Sequence, residues 1–237
     1  MNICHINNVA NLPYTVAEEQ RKRGHEVTVF NLTPSYKYWS GNVLAPWARF
    51  MVEWGKFDVV FAHSCGVLPR FLESAIGQPN VVYWHHGSDV RGKQCRLPLK
   101  PHLVSNPDLL ACCEGSRYMP YPLDLDYWKS EREGKGTLDI GKVKNVPWDK
   151  MKALLDAHHT ITQDKGLPSY STTIAQAMAL DKEIIVKGVD WSLYPSEPDL
   201  TEEPDGSSVI QHPREFAEKY HDVRLLAPAI TDFGRRE

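Results

Sequence analysis

The alternation of short apolar runs with helix-like segments limits what this chain can fold into more than any other feature. Asn2-Ile3-Cys4-His5-Ile6, Glu26-Val27-Thr28-Val29-Phe30, Phe57 to His63, Val81 to Trp84 and Pro107 to Cys113 each read as a strand. Between the first two, Tyr14 to Arg23 has helical spacing, ends in Arg21-Lys22-Arg23 and is followed by Gly24. Cations in the last turn suit the helix dipole, and a glycine just beyond is the usual left-handed cap. Pro69 to Ala75 reads as a further helix. Near-continuous apolar strands separated by helices predict a parallel sheet covered on both faces. Ligands of such sheets bind where the carboxyl ends of the strands open into loops. Asn7, His63 and His86 fall just past the ends of three different strands, which makes them candidates for one shared site.

The turn after the fourth strand, His85-His86-Gly87-Ser88-Asp89-Val90-Arg91, carries the most chemistry. It offers an imidazole for proton transfer, a carboxylate acceptor, and a glycine that lets the backbone approach a ligand closely. The plainer reading is that Asp89 caps the next helix and His86 is a satisfied polar residue. Trp47, Phe50, Met51 and Trp54 form a stripe at helical spacing, expected to face a core. With Tyr36, Tyr38 and Trp39 upstream, the alternative is an apolar acceptor surface or a peripheral membrane contact. The pairs His85-His86 and His158-His159 suggest a metal, but strand neighbours point to opposite faces and no cysteine or carboxylate spacing completes a site. No metal is therefore expected. His25 reads as a surface or cap position, and Glu197 to Asp205 as a solvated loop.

Composition narrows the classes further. The chain has 237 residues, 42% of them hydrophobic and 24% charged, enough for one large globular domain or two small ones. A net charge of −3 advertises no basic face for nucleic acid. Cys4, Cys65, Cys95, Cys112 and Cys113 make neither a CxxC pair nor a disulfide-like ladder, and read as the reduced thiols of a cytoplasmic protein. The amino terminus lacks the charged and then apolar layout of a signal peptide, and no apolar run approaches the roughly 18 residues of a membrane span. Neither GxGxxG nor a phosphate-cradling GxxxxGK[ST] occurs, which argues against ordinary dinucleotide or ATP binding.

Four blocks in order carry a resemblance. They are Arg23-Gly24-His25-Glu26-Val27-Thr28-Val29, Phe57 to Ser64, His86-Gly87-Ser88-Asp89-Val90-Arg91, and Gly115 to Asp126. Together they look like successive signatures of the retaining, nucleotide-sugar-dependent glycosyltransferases of the GT-B architecture (group 1, family 4-like). That resemblance implies an α/β fold of two facing Rossmann-like domains with parallel sheets. Residues 1–125 would form the acceptor domain and 126–237 a reduced nucleotide-sugar-binding domain. Glu131 to Gly136 reads as the linker. Thr137 to Val143 resembles the strand and Gly-Arg turn that open the donor domain, here Gly141-Lys142. A helix from Pro147 to about Ala157, a strand from His159 to Thr162, a helix from Ser171 to Ala179 and a strand from Glu183 to Lys187 follow. Ala-Gln-Ala-Met-Ala then matches the family's Glu-Ala-Met-Ala helix.

The resemblance assigns His86 and Asp89 as catalytic, with Asn7, Asn8, His63, Ser64 and Gly87 on the acceptor side or in the cleft. Gly141, Lys142, Ser171, Thr172 and Gln176 would bind the donor. The substrate would be a nucleotide-diphosphate sugar, without metal or other cofactor, and a hydroxyl on a sugar, lipid or protein would accept the hexosyl group. The chain also departs from the pattern. Asn7-Asn8 stand where the family often has a glycine pair. The two donor-domain glutamate positions are Pro168 and Gln176. Lys142 replaces the arginine, and Lys144 and Lys150 are both candidates for the second phosphate-binding cation. An alternative is therefore a weak or inactive glycosyltransferase-like binding or scaffold protein.

Overall fold

The computed structural model describes residues 1–7, 9–31, 47–64, 80–87, 90–91, 101–143, 146–164 and 166–236, with the side chains of 47, 48 and 236 outside the description. Asn8, Asp89, Lys144, Cys65, Cys95, the aromatics at 36, 38 and 39, and the helix expected over 69–75 lie outside the described residues.

The chain divides into two compact units, one of residues 1–122 with 223–237 and one of residues 123–222. The expected division at 125/126 placed residues 223–237 in the second domain; here they belong with the first.

In the first unit, β1 (Asn2–Ile6), β2 (Glu26–Phe30), β3 (Val59–His63), β4 (Asn80–His85), β5 (His102–Val104) and β6 (Arg117–Tyr118) form one sheet in the order β2-β1-β3-β4-β5-β6. Every described pairing in it is parallel. The strands are apolar on both faces because both are covered. Ile3, Val59, Phe61, Val82, Trp84 and Leu103 pack with α1 (Leu12–Lys22) and α6 (Val223–Arg236) through Val16, Ala227 and Ile230. Cys4, Ile6, Val60, Ala62, Val81 and Tyr83 pack on the other face with Phe50 and Trp54, which belong to α2 (Trp47–Glu53) and the turn after it. The aromatic stripe thus faces a core at Phe50 and Trp54, while Met51 is 37% exposed. Helix α6 lies very close to the sheet, since a Cβ on Gly234 would come within 2.7 Å of Val59 and 2.9 Å of Phe61.

The fifth strand differs from expectation. Pro107 to Cys112 is a 3-10 helix, and the strand is His102–Val104 instead. Pro107 lacks the N–H a ladder needs but suits the first helical position.

In the second unit, β7 (Thr137–Asp139), β8 (Thr160–Asp164), β9 (Glu183–Lys187), β10 (Leu200–Glu202) and β11 (Ser207–Ile210) form a sheet in the order β10-β11-β9-β8-β7. Strands β7, β8 and β9 are parallel, whereas β11 runs antiparallel to β9 and to β10. The sheet is therefore mixed, and part of the expected 197–205 loop is an edge strand. Glu203 to Gly206 supply a tight turn, with Gly206 at φ 77°. Helices α3 (Trp148–Asp156), α4 (Thr172–Ala179) and α5 (Pro213–Tyr220) complete the unit.

A buried ion pair braces the linker against this unit. Lys182 Nζ lies 2.8 Å from Asp156 Oδ1, and both side chains are 5% exposed. Asp156 also accepts from Ser130 Oγ at 2.6 Å and from the Glu131 N–H at 3.1 Å. Removing one partner of a buried pair leaves an uncompensated charge. Lys182→Met is expected to lower stability by about 3–5 kcal/mol in urea unfolding. Lys182→Met with Asp156→Leu should recover part of the loss, and a single-variant loss below about 1 kcal/mol would show that the pair behaves like a solvated one.

Candidate functional site

All strands of the first sheet point the same way, so the residues past β1, β3, β4 and β5 share one edge. The backbone there is unusual. Asn7, Ala10, Asn11 and Ser64 are non-glycine residues at φ 64°, 51°, 59° and 46°. Asparagine tolerates this left-handed region better than most residues, which accounts for Asn7 where a glycine is expected. Asn7 Nδ2 donates to the His63 carbonyl at 3.4 Å, and the Ser64 N–H donates to the Trp84 carbonyl at 3.0 Å.

The histidines of this edge form one hydrogen-bonded row. His86 Nε2 lies 2.9 Å from His63 Nδ1, and His63 Nε2 lies 3.0 Å from His5 Nδ1. His5 Nε2 lies 2.9 Å from Gln20 Oε1, and Gln20 Nε2 lies 3.0 Å from Thr231 Oγ1 in α6. At the other end, His86 Nδ1 meets Ser105 Oγ at 2.9 Å, and Ser105 accepts from Trp84 Nε1 at 2.8 Å. The rings of His63 and His86 stack with centroids 5.2 Å apart and 9° between planes.

These partners assign every proton in the row. The Thr231 hydroxyl donates to the Ala227 carbonyl at 2.8 Å, so it accepts from the Gln20 amide N–H. Gln20 Oε1 therefore faces His5 and can only accept, which puts the His5 proton on Nε2. A neutral His5 then accepts at Nδ1, so His63 carries its proton on Nε2, and the same logic places the His86 proton on Nε2. Ser105 donates to His86 Nδ1, as its acceptance from Trp84 allows. Burial reinforces the neutral state. It lowers His5 from 6.5 to about 4, with the Gln20 bond opposing and the Arg21 charge adding. Burial holds His63 well below its ordinary value, and the neighbouring His86 and His5 push the same way.

Neighbouring loops are tied to this row. Asn106 Nδ2 donates to the His86 carbonyl at 3.1 Å and Asn106 Oδ1 accepts from the Tyr121 hydroxyl at 2.6 Å. Arg91 pairs with Asp108 at 2.8 Å, fixing the turn after β4 to the segment after β5. Gly87 in that turn sits at φ 147°, a backbone conformation that residues with a side chain rarely adopt.

Three segments of the second unit follow the carboxyl ends of its parallel strands β7, β8 and β9. Gly141-Lys142 sit in a 3-10 turn directly after β7, where Asp139 accepts from the Gly141 N–H at 2.8 Å. Lys142 is exposed and lies 3.5 Å from Asp139. The segment after β8 leads to Ser171, the residue that precedes α4, and Gln163 holds it: Oε1 accepts from the Ser171 N–H at 3.0 Å and Nε2 donates to the Ser169 carbonyl at 3.3 Å. Ser171 Oγ is buried there without a hydrogen bond among the described residues. Thr172 is half-buried in the first turn, and Gln176 is buried further along α4. After β9, the Asp190 N–H donates to the Pro168 carbonyl at 3.0 Å.

The structure thus brings Asn7, His63, Ser64, His86 and Gly87 to one edge of the first unit. Gly141, Lys142, Ser171 and Thr172 lie at the matching edge of the second, with Gln176 farther along the helix. Sequence reasoning missed His5, Gln20, Ser105, Asn106, Gln163 and Thr231. The available signal was a polar side chain inside an otherwise apolar strand or helix face, as with His5 in β1 and Gln20 one turn after Val16 in α1.

No protein-family model and no curated relative matches the chain. Solved structures do. AviGT4, a glycosyltransferase involved in avilamycin A biosynthesis, superposes with a TM-score of 0.66 at 13% identity, covering 100% of this chain and 97% of that one. Sucrose-phosphate synthase from Thermosynechococcus elongatus gives a TM-score of 0.59 at 10% identity, covering 100% and 98%. The whole chain therefore has an α/β fold shared with GT-B glycosyltransferases.

The row has a pH signature. Below about 6.5 the unfolded chain protonates His5, whereas the folded chain does so only below about 4. Stability should therefore fall as pH drops through that window and be unaffected by His5 above it. The loss from His5 is about 1.4 kcal/mol per pH unit, about 3 kcal/mol in all, and His63 acts in the same direction. Urea unfolding at pH 7, 6 and 5 should show this slope, reduced in His5→Gln. An unchanged slope in that variant would contradict the assignment.

Proposed function

We propose that the protein is a retaining glycosyltransferase that moves a hexosyl group from a nucleotide-diphosphate sugar to a hydroxyl acceptor. The observation that carries this reading is the ordered polar edge around His86, on a chain whose whole length has the fold of solved glycosyltransferases.

The donor diphosphate is held by the second unit. The first-turn N–H groups of Thr172 and Thr173 have no intrahelical partner and lie at the positive end of α4, which suits an anion. Ser171 Oγ supplies a further hydrogen bond, and Lys142 a mobile point charge without the bidentate fork of arginine. Gln176 offers a neutral amide to sugar or ribose hydroxyls.

Both ring nitrogens of His86 are engaged by Ser105 and His63, so the imidazole is not poised to carry a proton. It serves as a fixed wall, and its carbonyl, which accepts from Asn106, holds the turn after β4 in place. The acceptor proton then has a simpler route. As the bond from the anomeric carbon to the diphosphate oxygen breaks and the bond to the acceptor oxygen forms, the proton passes to the departing diphosphate. Approach on the face from which the diphosphate leaves gives retention. Positive groups that neutralise the diphosphate stabilise the leaving group as its charge develops.

The test is incubation of the full chain with a panel of nucleotide-diphosphate sugars, following nucleoside diphosphate release and the linkage formed. One donor should be consumed, with retention. His86→Ala should lower turnover by about 10²-fold, the scale at which losing one preorganised group is felt. Gln176→Glu should tighten donor binding by about tenfold and Lys142→Ala should weaken it, because hydrogen bonds to charged groups are worth about 1.4 kcal/mol more than neutral ones. A panel without turnover, or donor binding indifferent to both changes, would overturn the reading.

A further inference from the structure

His85 and His86 are consecutive, yet they serve opposite faces of the first sheet. His86 joins the row beside α1 and α6. His85 shares its face with Tyr83, and there it meets His102 and Cys113, residues distant in sequence. His85 Nε2 lies 3.1 Å from His102 Nδ1. One ligand atom from each of His85, His102 and Cys113 can be chosen so that all three lie within 4.8 Å of one another, and all three residues are buried. The rings of His85 and His102 stack with centroids 5.2 Å apart, and Tyr83 stacks on His102 at 5.5 Å. Val90, Val104 and Leu109 form the apolar surround of Cys113.

We propose that His85, His102 and Cys113 bind a divalent zinc-type cation. The donor set, two imidazoles and one thiolate, is of the borderline-soft kind that selects Zn²⁺ over Mg²⁺ or Ca²⁺. The spacing fits. Tetrahedral bonds of about 2.0–2.1 Å to nitrogen and about 2.3 Å to sulfur separate neighbouring ligand atoms by roughly 3.3–3.7 Å. The two nitrogens already stand 3.1 Å apart, so closing on an ion needs only small side-chain shifts. The scaffold is equally suited. His85 ends β4, His102 begins β5, and the two strands pair in register with Tyr83 opposite His102. Cys113 closes the 3-10 turn that follows, so an ion there joins β4 and β5 to the turn. Three protein ligands leave the fourth position to a small ligand such as water. The site stands apart from the donor chemistry proposed above and does not depend on it.

The sequence reading excluded metal because no cysteine spacing completed either histidine pair. The fold supplies what spacing does not: Cys113 comes to His85 through the parallel crossover.

The test uses the full chain stripped with chelator and titrated with Co²⁺ and then Zn²⁺. One Co²⁺ per chain should bind with a thiolate-to-cobalt charge-transfer band, and Zn²⁺ should displace it. Cys113→Ser should lose the band and Cys112→Ser should keep it. His102→Gln should weaken binding by more than about 10-fold, since even outer-sphere partners contribute about 10–100-fold. In the unaltered protein, Zn²⁺ should slow alkylation of Cys113 in urea near the unfolding midpoint, where the buried thiol opens to reagent, read by peptide mass spectrometry, a readout that needs no variant to fold. Absence of stoichiometric Co²⁺ and Zn²⁺ binding, a band that survives Cys113→Ser, or Cys113 alkylation indifferent to Zn²⁺ would overturn the proposal.

Discussion

The hydrogen bond between His5 and Gln20 sets the direction of everything beside it. An amide oxygen can only accept, and Thr231, committed to the Ala227 carbonyl, prevents the amide from turning round. Three imidazoles in sequence would otherwise have several arrangements of similar energy. Fixing one end selects a single direction for the row and puts a proton on His86 Nε2. The constraint also ties α6 to the row, since Thr231 lies in the helix that returns to the first unit from residue 223. That helix is held against β3 closely enough that only glycine fits at 234.

Such a row has a cost as well as a use. Two of its imidazoles are wholly buried, and burial is tolerable only because each ring nitrogen has a partner. A row ending in an amide cannot pass a proton onward. It therefore works as a rigid mount for the His86 ring.

Much of this was legible in the sequence, for identifiable reasons. Strand β2 and strand β9 were read at their observed bounds because alternating or continuous apolar runs between helices leave few other choices. The placement of Asn7, His63 and His86 at one edge followed from parallel topology alone. What failed depended on contacts between distant residues. Pro107 to Cys112 reads as a strand by apolarity, yet its proline and the preceding Asn106 make a 3-10 turn. The edge strand Leu200–Glu202 is too short and polar to show a period. Gln20 and Thr231 meet across 211 positions, and His85 meets Cys113 only through the crossover between strands. No local pattern encodes such pairings.

The tautomers of the histidine row report directly on the direction that Gln20 imposes. Long-range ¹H–¹⁵N correlation spectra of the imidazoles at neutral pH, assigned with His5→Gln and His63→Gln, distinguish a proton on Nε2 from one on Nδ1 and from imidazolium. His5, His63 and His86 should all be neutral with the proton on Nε2. A proton on Nδ1 of any of the three, or an imidazolium among them, would contradict the direction that Gln20 and Thr231 impose.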